Sequence, residues 1–377
     1  MRRRRAVALL VESSNAYARG LLEGIVAWVR EHDPWSIYFP EQGRGEPPPG
    51  WLSRWKGDGI IARIENETIA RAVARTGLPV VDVSAGRHLP SVPWVETDDA
   101  AIARLAADHF LERGFRSLAW CGEPRFNWSR WRRGHFEKAA REAGCDFRAY
   151  ESPSASGEHE RLIAWVRKLP RPVGVLACYD IKAQQLLDAC RDLDVAVPEQ
   201  VAVLGVDNDR LLCTLSTPPL SSVIPNTRRT GFVAAGLLAR MMSGRKAAAR
   251  AHLIPPTGIE MRQSTEILAL EDPGVAAALR FIREHACEGI TVPDVLRSVP
   301  FSRRTLEGRF RKVMGRTPHD EILRLKIERV KQLLAETDLK LAEVARKTGF
   351  PHVEYMSVAF KRLEGRPPSE FRLDRRG

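Results

Sequence analysis

The chain has 377 residues, too many for one small module and enough for two or three domains. With 44% hydrophobic and 28% charged residues, and no apolar stretch near the roughly 20 residues of a spanning helix, neither a disordered chain nor a membrane protein is expected. The formal net charge is +12, and residues 271–377, with 22 Lys+Arg against 16 Asp+Glu, carry half of that excess on little more than a quarter of the length. A polyanionic partner is therefore expected at the C-terminal end.

Four arginines, Arg2 to Arg5, precede an apolar run over residues 6–11 that stops at Glu12. The run is shorter than the roughly 7 to 15 apolar residues of a secretory signal, and no small-residue cleavage site follows, so it reads as a first strand and the protein is expected in the cytoplasm. A polar loop over 12–15 leads into a helix near residues 17–31. Strand signals return at 60–62, 80–83, 118–121, 173–177 and 201–206, alternating with amphipathic helical stretches at 100–113, 132–143, 159–169 and 181–193. Such alternation predicts parallel sheets covered by helices, and about 260 residues of it fit two doubly wound sheets better than one. Gly114 reads as the C-cap of the helix at 100–113 and as a change of half, with a second change between 225 and 250. Polar groups at the carboxyl ends of such strands face a cleft, the expected ligand position.

Other chemistry is thinly supported. The six cysteines (Cys121, Cys145, Cys178, Cys190, Cys213, Cys287) form no CxxC pair and read as reduced core residues. The nine histidines show no metal-ligand spacing, and no Ser/His/Asp order is evident. Gly43-Arg44-Gly45 runs into Glu46 and prolines and lacks the helix that would cradle a phosphate. Asp98-Asp99 reads as a helix start ahead of Ala100. No metal, no cofactor and no enzyme activity are expected.

A composition break at 262–274 ends the strand signal. It gives one domain over 1–262, a linker over 263–274 and a helical domain over 275–377. Helices are predicted at 275–287, 292–298, 302–313, 318–336, 341–348 and 352–363, bounded by Gly289, Pro300, Gly315, Gly349 and Gly365. Within them a short helix, a tight turn and a longer helix occur twice, at 292–313 and 341–363. In each longer helix an apolar pair four residues apart (Leu306, Phe310; Met356, Phe360) buries one face and leaves the other free for a major groove. Ser302 is the expected N-cap of the first, with Arg303, Arg304 and Glu307 at base-reading positions and Arg304 able to fork onto guanine. Val353, Glu354, Ser357 and Val358 hold the same place in the second and favour methyl contacts or shape reading. Arg309, Arg311, Lys312, Arg316, Lys361, Arg362 and Arg366 are the candidate phosphate contacts. The helix at 318–336 joins the two units so that their readers meet successive grooves about 34 Å apart. A plain bundle with solvated charges is the bland alternative, and repetition of the pattern counts against it.

Leu341-Ala342-Glu343-Val344-Ala345, Gly349-Phe350, Phe360-Lys361 and Pro367-Pro368-Ser369-Glu370-Phe371-Arg372 closely resemble the double helix-turn-helix domain of the AraC/XylS regulators. Pro300 departs from the glycine common at that turn, so a tighter or differently shaped turn is expected. Gly205-Val206-Asp207-Asn208-Asp209, Pro218-Pro219-Leu220-Ser221-Ser222-Val223 and Gly231-Phe232 through Leu238 resemble the sugar-binding core of lactose-repressor-type regulators and periplasmic sugar carriers. Together with Asn15-Ala16-Tyr17, Gly57-Asp58-Gly59-Ile60-Ile61-Ala62 and Arg262-Gln263-Ser264-Thr265, they make the chain similar to the bacterial D-xylose operon activators over essentially its full length.

The resemblance implies an α/β fold, two-lobed and type I periplasmic-binding-protein-like with doubly wound parallel sheets, followed by an all-α double helix-turn-helix domain. It implies a sequence-specific transcription activator responding to D-xylose or a similar monosaccharide, acting as a homodimer on double-stranded operator DNA, with RNA polymerase as its target and no membrane partner. It also assigns Asp207 as a sugar-hydroxyl acceptor and Arg130 as a sugar-binding arginine, the register within 127–133 being open by a residue or two. From the residues alone, Trp128 or Trp131 offers a ring to the C–H face of a sugar, and Asn15, Tyr17 and Asp180 sit at strand ends. A response to another monosaccharide stays open, as does a sugar-modifying enzyme, which would need a catalytic constellation in the cleft.

Overall fold

The structure, a computed structural model, describes residues 3–41, 43, 45–152, 156–266 and 272–374. Arg2, Arg44 and residues 267–271 of the expected linker lie outside them. The chain divides into two compact units, Met1–Glu266 and Ile267–Gly377.

The first unit begins β1 (Ala6–Leu10), α1 (Ala16–Glu31), β2 (Ser36–Tyr38), β3 (Gly59–Ala62), α2 (Glu67–Ala74), β4 (Val80–Asp82), β5 (Trp94–Thr97) and α3 (Asp99–Glu112). It continues β6 (Ser117–Gly122), α4 (Asn127–Glu142), β7 (Asp146–Glu151), α5 (Glu158–Val166), β8 (Val173–Ala177), α6 (Asp180–Asp192), β9 (Val201–Val206) and α7 (Arg210–Leu215). It closes with β10 (Ser221–Ile224), α8 (Thr227–Met242), β11 (Ala251–Ile254) and β12 (Gly258–Glu260). Two six-stranded sheets result, ordered β11-β5-β4-β3-β1-β2 and β12-β10-β9-β8-β6-β7. The recorded pairings are parallel except β10 with β12. The central strands are apolar throughout and buried at every residue, as in β8 and β9, because helices cover both sheet faces.

On one face of the first sheet, α1 and α8 approach so closely that side chains are excluded at the contact. A Cβ on Gly24 would lie 2.0 Å from the Arg228 carbonyl oxygen, and one on Gly231 would lie 2.0 Å from that of Leu21.

The chain changes lobe earlier than expected. Gly114 does end α3 with a left-handed residue, but α3 already belongs to the second sheet: Phe110 stacks edge-on against Phe115 and Phe136 and covers Gly174 of β8. The crossing falls at Asp98, whose N–H donates to Ile254 O and whose carboxylate caps α3 at Ala101 N. The second crossing, between β10 and α8, lies at Pro225, the start of the expected range. A third, between β11 and β12, was not foreseen, since three-residue and four-residue edge strands leave almost no periodicity to read.

The expected linker is also shorter. Gln263–Thr265 forms a 3-10 turn packed on the second sheet, with Ser264 Oγ donating to Val203 O at 2.6 Å and Thr265 Oγ1 hydrogen-bonded to Ser221 Oγ and His109 Nε2.

The second unit comprises α9 (Pro273–His285), α10 (Val292–Ser298), α11 (Arg303–Met314), α12 (Pro318–Glu336), α13 (Leu341–Lys347), α14 (Val353–Glu364) and α15 (Pro368–Asp374). Its starts follow from capping chemistry: Asp272 caps α9, Ser302 caps α11, and Thr317 with Asp320 forms a capping box ahead of Pro318. Two apolar cores form. Leu306 and Phe310 pack with α9, α10 and the first half of α12; Met356 and Phe360 pack with its second half, α13 and α15.

The two turns differ as Pro300 foretold. Between α10 and α11 the Phe301 N–H donates to Val299 O at 2.9 Å across Pro300, with no left-handed residue. Between α13 and α14, Gly349 adopts φ 66°, and a Cβ there would meet Gly289 N at 2.5 Å.

Candidate effector cleft and DNA-reading faces

A cavity of about 630 Å³ opens where the carboxyl ends of the strands of both lobes meet. It lies within the range of small-molecule pockets. Its wall from the first lobe starts at β1. Asn15 caps α1 by accepting from Ala18 N at 2.8 Å and donates its amide to Glu12 Oε1 at 3.0 Å. Glu12 in turn accepts from Arg63 Nη1 at 2.5 Å, while Glu65 accepts from Arg63 Nη2 at 2.5 Å. Burial opposes the Arg63 charge, but Glu65 and Glu12 outweigh it and hold the guanidinium protonated. It lies 5.2 Å from the Tyr17 ring centroid, and its Nε, buried, has no partner. Tyr17 lines the same wall, and burial pushes its hydroxyl up to about 12, so it is neutral at physiological pH.

The second lobe contributes a matching pair. Arg132 Nε and Nη2 donate to Asp99 Oδ1 at 3.0 and 2.7 Å, and Nη1 donates to Cys178 O at 2.5 Å. Burial pushes the Asp99 carboxyl up, and Arg132 opposes the shift. The guanidinium lies 5.2 Å from the Trp128 ring, which stacks on Phe126 and meets Tyr179 edge-on. Asp207 follows β9 at φ 110° and Asn208 at φ 49°, a backbone region costly to residues other than glycine. That turn places Asp207 on the cavity wall. It is braced by Asp180, whose carboxyl group is hydrogen-bonded to Ser222 Oγ at 2.6 Å and accepts from Asp209 N at 2.7 Å. Burial pushes the Asp180 carboxyl up to about 8.

Of the residues expected at a sugar site, Asn15, Tyr17, Trp128, Asp180 and Asp207 line the cavity. Arg130 and Trp131 do not. Arg130 is exposed and donates to Pro124 O at 3.0 Å and to Asn127 Oδ1. Trp131 packs on the Arg87 guanidinium, whose carbon lies 5.1 Å from its ring and 4.1 Å from that of Trp94. Two residues on a helix span about 200°, so the inward arginine is Arg132. Asp180 borders the cavity, but its Oδ1 is taken by Ser222 of β10 and its Oδ2 by the Asp209 N–H, so its hydrogen bonds run into the protein. Arg63, Glu65, Thr97 and Asp99 also line the cavity and are not among the residues expected there. The signal for Arg63 was present: a charged residue directly after the apolar Ile60-Ile61-Ala62 run stands at a strand's carboxyl end.

The lobes are latched beside the cavity. Asn127 Nδ2 donates to Ala85 O and Gly86 O at 3.1 and 3.0 Å, and Arg19 pairs with Asp209 at 3.6 Å. Among the described residues no group of His, Cys, Asp and Glu is arranged to hold a metal.

In the helical unit, Arg303, Arg304, Glu307, Gly308 and Arg311 share one face of α11, opposite Leu306 and Phe310. Arg303 Nε is held by Glu307 Oε1 at 2.9 Å. On α14, Glu354 and Val358 are exposed and Ser357 is half-buried, whereas Val353 leans onto the second core. Arg311, Lys312, Lys361 and Arg362 are exposed. The other three candidate phosphate contacts are partly engaged. Arg309 pairs with Asp272 at 3.0 Å and covers Phe301; Arg316 pairs with the fully buried Glu321 at 2.5 Å; Arg366 lies over Phe371.

Three domain families match the chain: an XylR N-terminal domain over residues 6–100, a periplasmic binding protein-like domain over 107–265 and a helix-turn-helix domain over 296–374. The chain is 33% identical to the Xylose operon regulatory protein of Escherichia coli (strain K12) over 98% of its length and 97% of the relative's. It is 32% identical to the Xylose operon regulatory protein of Haemophilus influenzae over 98% of each. Among solved structures, that of the xylose-binding transcription activator xylR matches with a TM-score of 0.85 at 32% identity, over 98% of both chains. A periplasmic binding protein/LacI transcriptional regulator from Alkaliphilus metalliredigens, complexed with D-xylulofuranose, shares the fold of the first unit, with a TM-score of 0.57 at 18% identity over 69% of this chain.

Proposed function

We propose, from the premise that this chain belongs to the family of xylose operon regulatory proteins, that it is a transcription activator whose helix-turn-helix units bind double-stranded operator DNA and whose cleft takes D-xylose as the signal. One observation carries the ligand assignment: among the described residues the cavity wall leaves no unpaired guanidinium for an anion, since Arg63 is held by Glu12 and Glu65, Arg132 by Asp99 and Arg125 by Glu123, beside aromatic rings. A neutral polyol needs fixed donors and acceptors and an apolar plate, and brings no charge to be matched. In this reading Asp207 accepts from sugar hydroxyls, Arg63 donates to a ring or hydroxyl oxygen, and Trp128 covers the C–H face. Because the sugar touches both lobes, it favours the latched arrangement and so biases the DNA-binding state. The working form is a homodimer in the cytoplasm, and RNA polymerase is its activation target.

Calorimetry against D-xylose, D-ribose, L-arabinose, D-glucose and a sugar phosphate tests the ligand. D-xylose is expected to bind most tightly, with the sugar phosphate excluded by Asp207 and Glu65. Saturable binding of the phosphate, or of another sugar in preference to D-xylose, contradicts the assignment, and chemical conversion of any of them favours an enzyme.

A further inference from the structure

The arginine run at the start of the chain has no part in the cleft or in the helical unit. In the fold it meets a second basic segment 235 residues away: Arg5 Nη1 donates to Ala239 O at 3.0 Å and Nη2 to Ser243 Oγ at 2.9 Å. Residues 3–5 and 240–250 together hold Arg3, Arg4, Arg5, Arg240, Arg245, Lys246 and Arg250, with no acidic residue in either segment. They meet where β1 begins and where the parallel helices α1 and α8 end. That is the amino edge of the first sheet, the opposite end from the cleft. A groove of about 1490 Å³ lies there, bordered by Arg3, Arg4, Arg5, Arg240 and Arg245. The acids that face it are Glu31 and Asp33, and Asp58 takes Arg3 at 3.8 Å. Among the described residues, Arg4, Arg240 and Arg245 are exposed and in no ion pair. The positive field is felt nearby: burial together with Arg250 and Arg240 holds the His252 imidazole below its ordinary value.

We propose that this electropositive face binds the phosphodiester backbone of DNA flanking the base-reading site. The proposal rests on DNA binding by the helical unit. An extended polyanion fits better than a small phosphate, because the free arginines are exposed and spread along an open groove, without the buried donors that enclose a single anion. Each phosphate neutralised adds about 0.9 to the slope of log affinity against log salt.

The test uses the full chain and an operator duplex selected from a randomised pool, in two lengths: about 20 base pairs, enough for two successive grooves, and the same duplex extended by about 20 base pairs on each side. Anisotropy titrations over a salt series compare wild type with Arg4→Ala/Arg240→Ala/Arg245→Ala and with the corresponding triple lysine variant. On the long duplex the alanine variant is expected to lose about 2 to 3 from the salt slope for each subunit whose face meets the flanking DNA, and the lysine variant to retain it. On the short duplex all three should match. Equal slopes on the long duplex overturn the proposal alone. Failure of wild type to bind either duplex removes the DNA-binding reading along with it. Calorimetry with inorganic pyrophosphate gives the other arm: stoichiometric binding that the alanine variant loses, with DNA slopes unchanged, replaces the backbone contact by a small-anion site.

Discussion

Arg132 and Asp99 are each less than a tenth exposed, and their pairing sets what the cleft wall tolerates. Removing one partner leaves the other charge buried without compensation, which costs about 3–5 kcal/mol. Arg132→Met is therefore expected to lower unfolding stability by that amount in denaturant titrations, and adding Asp99→Asn should recover most of it. If Arg132→Met alone is as stable as wild type, the pair is not a buried one. Asp180 gives a pH signature. Its carboxyl is raised from 3.8 to about 8 in the folded protein, so the unfolded chain releases this proton first. The stability it contributes is complete below about pH 4 and is lost as pH rises toward 8. Thermal melts between pH 5 and 8 should show wild type declining more steeply than Asp180→Asn; equal slopes would place the proton elsewhere. That Asp207 and Trp128 would border the cavity was legible, the first from the family resemblance at the end of a recognisable strand and the second from its aromatic-rich segment. The choice between Arg130 and Arg132 was not, since four arginines within 130–141 leave α4 without a clear polar face.

At the scale of elements, β1, β3, β4, β6, β8 and β9 and most of the longer helices were legible because each has a cap, a stop or an uninterrupted apolar run, whereas the interior strands β5 and β10 and the helices α2, α7 and α8 were not among the elements expected. Nor were the edge strands. All three residues of β2 are exposed, and β7 mixes exposed and half-buried positions with three charged residues and no buried one, so neither presents the apolar run by which the other strands were found. The contact of α1 with α8 has no sequence signal beyond the glycines Gly20, Gly24 and Gly231. Their function as spacers appears only when the two helices face one another. Gly24→Ala would drive a methyl to within 2.0 Å of backbone, and overpacking of this kind costs about 1–3 kcal/mol. A destabilisation of that size is expected in chemical unfolding; an unchanged midpoint would mean that the helices separate freely. Pro300 is the converse case, a departure from the family pattern whose consequence was readable in advance, because proline's fixed φ forbids the left-handed turn that Gly349 uses.

For the whole molecule, the division into a two-lobed α/β unit and a helical unit was legible in the change of periodicity near residue 262. The three chain crossings were not, because crossings leave no signature in composition. They matter because they make the cleft a hinge with contacts on both sides. Asn127 reaches Ala85 and Gly86 of the other lobe, and Arg130, expected at the ligand, instead holds the Asn127 amide in place. Asn127→Ala is expected to weaken D-xylose binding several-fold by depopulating the latched state while leaving sugar preference intact; calorimetry showing unchanged affinity would remove the latch from the account. In the proposed switch, sugar in the cleft governs the engagement of DNA, which an anisotropy titration of selected operator DNA with and without saturating D-xylose measures. D-xylose is expected to change operator affinity or DNA geometry for wild type, and Asp207→Ala is expected to lose this response while still binding DNA. Identical curves and identical DNA geometry for wild type with and without the sugar would contradict the switch.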